Sequence, residues 1–166
     1  MKNLKCYMLM LLLAGSLIVY AAAPQLGSWT DSTPIKTPTF GLVQLNWRAD
    51  STGTISSHTT PTSIRGILLQ VITDPDTSLT PADSTGRTPS DNYDITLKNT
   101  NSVDVMGGAL SNRDSTVTEI AVPLAITAYS DTTVYPVMVD GKLTVAITNN
   151  TKPNARGSIS IYWLPK

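Results

Sequence analysis

The segment NYDITLKN, Asn92–Asn99, sets Tyr93, Ile95 and Leu97 against Asp94, Thr96 and Lys98 in strict alternation. A period of two gives each face of an extended strand its own set of side chains, and it fits no helix, whose faces repeat every 3.6 residues. The alternation returns in FGLVQLNWR (Phe40–Arg48), with Val43, Leu45 and Trp47 on one face, and in GSISIYW (Gly157–Trp163), with Ile159, Ile161 and Trp163. STVTEIAVPL (Ser115–Leu124) reads as a further strand, ended or pushed to a sheet edge by Pro123, which has no N–H for a ladder. VYPVMV and KLTVAITN flank Asp140-Gly141, a dipeptide suited to a two-residue hairpin turn.

SIRGILLQVIT (Ser63–Thr73) differs from these. Ile67, Leu69 and Val71 lie on one face and Leu68 and Ile72 on the other, so the pattern predicts a central strand covered on both sides. Asp91–Gly108 extends the first segment: Asn99 to Ser102 form a turn, Val103 and Val105 begin the return, and Gly107-Gly108 permits backbone angles that a Cβ resists.

About seven or eight such strands, with no helical pattern after Ala23, predict an all-β fold: a single antiparallel β-sandwich, jelly-roll or immunoglobulin-like, over residues 40–166. Composition agrees, since only 14% of residues are charged and only Glu119 is a glutamate. Many Thr, Val and Ile with few Lys and Glu is a strand-forming mixture. Residues 24–39, PQLGSWTDSTPIKTPT, hold three prolines without periodicity and read as an extended arm in which Trp29 is the more exposed ring and Ile35 has little to bury it. Two long loops, Asp50–Thr62 and Thr73–Asp91, are of the length that is commonly functional or mobile.

Residues 1–23 have the parts of a secretory signal: a positive n-region at Lys2 and Lys5, an apolar run from Tyr7 to Val19, and small residues for cleavage after Ala21. The competing reading is an uncleaved membrane anchor over Cys6–Ala23. Both place the remainder outside the cytoplasm. Ser16 stands where a lipoprotein signal needs cysteine.

Net charge is zero, and without Lys2 and Lys5 the chain has 10 basic residues against 12 acidic. No basic run is present, so nucleic acid is not an expected partner. Cys6 is the sole cysteine and His58 the sole histidine. A Cys nucleophile and a zinc site are thereby excluded from the chain after the signal. His58 sits in a Ser/Thr/Pro loop without a nucleophile elbow and reads as a solvated loop residue.

Carboxylate pairs for acid–base work would be Asp91 with Asp94 or Asp74 with Asp76, or would include Glu119, all in turn-rich sequence. Asp74, Asp76, Asp83 and Asp91 crowd one loop, which is calcium's ligand chemistry but also ordinary turn chemistry. Trp47 and Trp163 belong to apolar strand faces, and Asn149-Asn150-Thr151 is a glycosylation triplet. The reading names no catalytic residue, no cofactor and no metal ligand.

Read in order, LNWRADSTG, IRGILLQVITDP, DNYDITLKNTNSVDVMGGALSNRDS, VDGKLTVAITN and GSISIYW resemble a group of small all-β virion-associated proteins of tailed bacteriophages and prophages. The resemblance covers Leu45 to Trp163, and Asp91–Asp114 is its most specific piece. It implies a non-enzymatic structural protein of the virion, whose partners are further copies of itself or other virion or surface proteins. The signal departs from that pattern, because virion proteins assemble in the host cytoplasm. It motivates the alternative of an exported binding module for a glycan or cell-surface partner, with membrane contact only through residues 1–23.

Overall fold

The computed structural model describes residues 27–77, 87–123 and 136–166. The predicted leader therefore lies outside the described residues, as do positions 78–86 with Asp83, and positions 124–135. Ten strands and no helix run through the described residues: β1 (Ser28–Asp31), β2 (Ile35–Thr37), β3 (Phe40–Arg48), β4 (His58–Thr59), β5 (Ile64–Pro75), β6 (Asp94–Lys98), β7 (Glu119–Ala121), β8 (Val137–Gly141), β9 (Thr144–Thr148) and β10 (Arg156–Pro165).

Every pairing is antiparallel. Seven strands form one sheet, built on the path β1-β3-β10-β5-β7, with β2 also on β3 and β8 also on β5. Both flanks are thus interrupted: β1 and β2 share the edge of β3, and β7 and β8 share the edge of β5. A three-stranded sheet, β4-β9-β6, completes the architecture.

The alternation read from the sequence sets the faces. Val43, Leu45, Ile159, Ile161, Ile95, Leu97 and Val145 are fully buried or within 1% of it, and Ile147 is 5% exposed. Side chains of both sheets meet in one buried cluster. Trp47 of the large sheet packs on Tyr93, which leads into β6, with ring centroids 5.9 Å apart. Burial raises the Tyr93 hydroxyl pKa well above the ordinary phenol value.

Two tryptophans shape the β3–β10 pair. Trp163 stands opposite Gly41 and Trp47 opposite Gly157. A Cβ at Gly41 would sit 2.1 Å from the Trp163 ring, and one at Gly157 would sit 2.9 Å from Trp47. Each indole lies where its neighbour has no side chain, so the glycines are required for space.

Three expectations need correction. First, β5 is an interior strand, flanked by β10 on one side and by β7 and β8 on the other, yet it is covered on one face only. Its buried set is Ile64, Gly66 and Leu68, then Val71, Thr73 and Pro75. The phase changes at Leu69, where the register with β10 shifts and leaves one extra residue on β5. Such a bulge turns a one-sided strand into a sequence that looks apolar on both sides. Leu69 is 44% exposed.

Second, Asp140-Gly141 closes no hairpin. β8 pairs with β5 in the large sheet and β9 with β4 and β6 in the small one. Leu143, fully buried between them, donates its N–H to the buried Thr60 hydroxyl at 3.0 Å, and that anchor carries the chain from one sheet to the other.

Third, the arm is not without local cover. β1 and β2 pair with β3, and Trp29 is half-buried against the core. Ile35 remains 52% exposed. The Pro123 expectation fared better, since β7 is an edge strand that pairs with β5 alone.

Candidate interaction surface

The Asp91–Gly108 segment resolves into structural duties. Asn99 accepts N–H bonds from Asn101 and Val103 at 3.0 Å each and turns the chain. Asp104 accepts from Leu97 and Met106 through one oxygen and from Gly108 through the other, at 2.9–3.2 Å. Gly107 and Gly108 both have positive φ, 60° and 83°. On either side of them Met106 and Leu110 are fully buried. The segment seats part of the core.

Other acids are similarly engaged. Asp94 accepts from the Asn112 N–H at 2.8 Å and from the Asn149 side-chain amide at 2.5 Å, so the acceptor nitrogen of the glycosylation triplet is tied down. Glu119 accepts from the Asp114 N–H at 2.7 Å and lies 3.6 Å from Arg113. Asp50 and Asp114 have pKa values lowered from the usual carboxylate range. For Asp50 the cause is chiefly the Thr52 hydroxyl and then the Thr54 N–H; for Asp114 it is the Thr116 N–H and hydroxyl. Among the described residues no three His, Cys, Asp or Glu gather as a metal site.

His58 is not the solvated loop residue of the sequence reading. It begins β4, is half-buried, and its Nε2 lies 2.8 Å from Asp31 Oδ1. Its ring stacks on Trp29 at 5.1 Å and 13°, while the Trp29 indole N–H donates to the Ser56 carbonyl at 2.7 Å. Trp29 and Asp31 belong to the arm, and Ser56 and His58 to the body. Sequence gave no signal for this clasp, because its halves lie 27 positions apart.

The outer face of the seven-stranded sheet has two unlike halves. Paired residues of adjacent strands point the same way, so registers define its rows. One end carries Gln44, Asn46, Ser158 and Asp74, which with Asp76 and Arg156 line an open cleft of about 560 Å³. Thr118 donates to Asp74 across 2.5 Å, and Arg87 lies 3.9 Å from Asp76. The structure thus places Asp74 and Asp76 beside one cleft and leaves Asp91 apart from it.

The other half is richer in aliphatic side chains, with Ser160 and Gln70 among them. Ile72 lies opposite Ile120, and Ile67 lies between Leu164 and Met138. Ile120 is 63% exposed, Met138 58% and Leu164 40%, with Val122 and Leu69 beside them. Phe40 and Tyr162 add rings 5.8 Å apart. An Arg65–Asp140 pair at 3.1 Å, both side chains largely exposed, closes that rim. Exposed aliphatic side chains thus gather on β5, β7, β8 and β10 in this half. Comparison with protein-family models, with curated proteins and with solved structures gave no match.

Proposed function

We propose that this is a non-enzymatic structural and interaction protein, a virion β-sandwich component of the bacteriophage or prophage type, held on a head or tail as a decorating or associated subunit. The observation that carries the reading is the aliphatic half of the outer sheet face, around Ile72, Ile120, Met138 and Leu164. A β-sheet exposing aliphatic side chains across neighbouring strands is suited to burial against another protein over a broad area. Of the candidates in the sequence reading, His58 is held in the arm clasp and Asp94 accepts the Asn112 N–H, which fits a scaffold role.

The test replaces Ile120 and Met138 together by aspartate. The folded chain is expected to keep its stability and to lose incorporation into purified particles. Undiminished incorporation would overturn the reading.

A second reading, an exported binding module for a glycan, is favoured by the polar cleft at the other end of that face. Gln44, Asn46, Ser158 and Arg156 offer amide, hydroxyl and guanidinium groups to a hydroxylated ligand. On an immobilised glycan panel, Gln44→Ala with Ser158→Ala would abolish retention on this reading and leave particle incorporation untouched on the first.

A further inference from the structure

We infer that the arm is an exchangeable strand: β1 and β2 leave their own β3 and pair, in the same register, with β3 of a second copy of this chain. The inference rests on the assembly reading above and gives it a partner.

The arm's attachments come first. β1 and β2 bond to no strand but β3, with Ser28 to Asp31 opposite Arg48 to Leu45 and Ile35 to Thr37 opposite Leu42 to Phe40. All three β2 residues are exposed, and in β1 only Trp29 is half-buried. What holds the arm is therefore a backbone ladder, joined by side-chain bonds of Ser32 to the Gln44 backbone and of Asn46 to the Thr30 carbonyl, all of which any equivalent edge can supply, plus the clasp of Trp29 and Asp31 on Ser56 and His58. Every group that receives the arm belongs to the body, and a second body presents the same set in the same geometry.

The hinge comes second. Thr37 pairs with Phe40, which leaves Pro38 and Thr39 as a two-residue hairpin loop. Two-residue loops favour turns with positive φ at the first loop position, because those match the right-handed twist of the strands. Proline holds φ near about −65° and excludes both favoured types. Neither Pro38 nor Thr39 is among the residues of positive φ. Proline also keeps Thr37 extended, which is the conformation a straight hinge needs. Closed and exchanged forms share the ladder and the clasp, so they differ chiefly at this turn, where the closed form is the poorer. Concentration then selects between them, as in other strand-exchanged assemblies.

Thr30 and Asn46 face each other across β1 and β3, both exposed, and report which chain the arm pairs with. The full chain carrying Cys6→Ser, Thr30→Cys and Asn46→Cys is oxidised at graded protein concentration and separated without reductant. Internally linked monomer is expected when dilute and doubly linked dimer when concentrated. Mixing the Thr30→Cys and Asn46→Cys single variants at high concentration should give a heterodimer joined through those two positions. Adding Pro38→Asn with Thr39→Gly, which installs a favoured hairpin turn, should cut the dimer by about tenfold or more, the effect of roughly 1.4 kcal/mol.

Monomer at every concentration would overturn the exchange, and so would a dimer indifferent to the hinge substitutions. If exchange fails while the Ile120 and Met138 substitutions still abolish incorporation, the assembly reading stands alone. If incorporation is unaffected by those substitutions but exchange occurs, the outer face is dispensable and the arm alone joins the copies.

Discussion

Both faces of the seven-stranded sheet carry aliphatic side chains, but only one of them is covered. On the inner face Val43, Ile161 and Val71 form a row with no exposure at all. On the outer face the neighbouring row runs through Ile72 to Ile120, and Ile120 is 63% exposed. The same residue types serve a core in one place and a surface in the other. What differs is the opposing layer: Tyr93, Leu97, Met106, Leu110 and Val145 join the inner cluster, and no described residue does this for the outer one. The aliphatic half of the outer face is thus left open among the described residues.

The largest expected effect falls on the covered face. Leu45→Ala or Leu97→Ala should lose roughly 2–5 kcal/mol in denaturant unfolding, the transfer and cavity terms of a buried leucine. Ile120→Ala should stay within about 0.5 kcal/mol, as surface changes do. Equal losses at Leu45 and Ile120 would break the comparison, because the outer face would then be buried within the chain.

Gly41→Ala probes the inner face from the opposite direction. The new methyl would meet the Trp163 ring at 2.1 Å, and overpacking of this kind costs about 1–3 kcal/mol. A neutral result in thermal unfolding would mean that Trp163 can leave its place over the glycine. Asp104→Ala removes the acceptor that gathers the N–H groups of Leu97, Met106 and Gly108, and with it the turn that seats Met106 and Leu110. A loss of about 1–3 kcal/mol is expected, the desolvation cost of orphaned donors. Asp104→Asn, which keeps an acceptor oxygen, should recover part of it.

The smallest effect is that of pH. Asp50 and Asp114 have lowered pKa values in the folded chain, so their contribution is present above the unfolded carboxylate value and is lost as pH falls through the folded one. Acid titration should release the Thr52 and Thr54 amides, seen as chemical-shift changes, without moving signals of Val43 or Ile161. Asp50→Asn should remove that titration.

Much of the inner face was legible in the sequence because it depends on local alternation alone. Tyr93, Ile95 and Leu97, or Ile159, Ile161 and Trp163, announce their phase within a few residues. The outer face was half legible. The doubly apolar Ser63–Thr73 run marked β5 as interior, but the bulge at Leu69 depends on its register with β10, which lies some ninety positions away in sequence. Asp140-Gly141 has hairpin chemistry, and the deciding influence was Leu143 reaching Thr60. The clasp of Trp29 and Asp31 on His58 gave no local sign, since a single histidine in a polar stretch looks the same paired or solvated.

Two methionines allow the central claim to be measured directly. Met106 is fully buried under the inner face and Met138 is 58% exposed on the outer one. Limited peroxide oxidation, read residue by residue by mass spectrometry, is applied to the isolated chain and to purified particles that carry it. In the isolated chain Met138 should oxidise rapidly and Met106 slowly. In particles Met138 should become protected by about tenfold or more while Met106 stays slow, with the wet rim at Arg65 and Asp140 still reactive to solvent probes. Met138 oxidising at the same rate in both states would contradict the account, because the open aliphatic half would then have no partner.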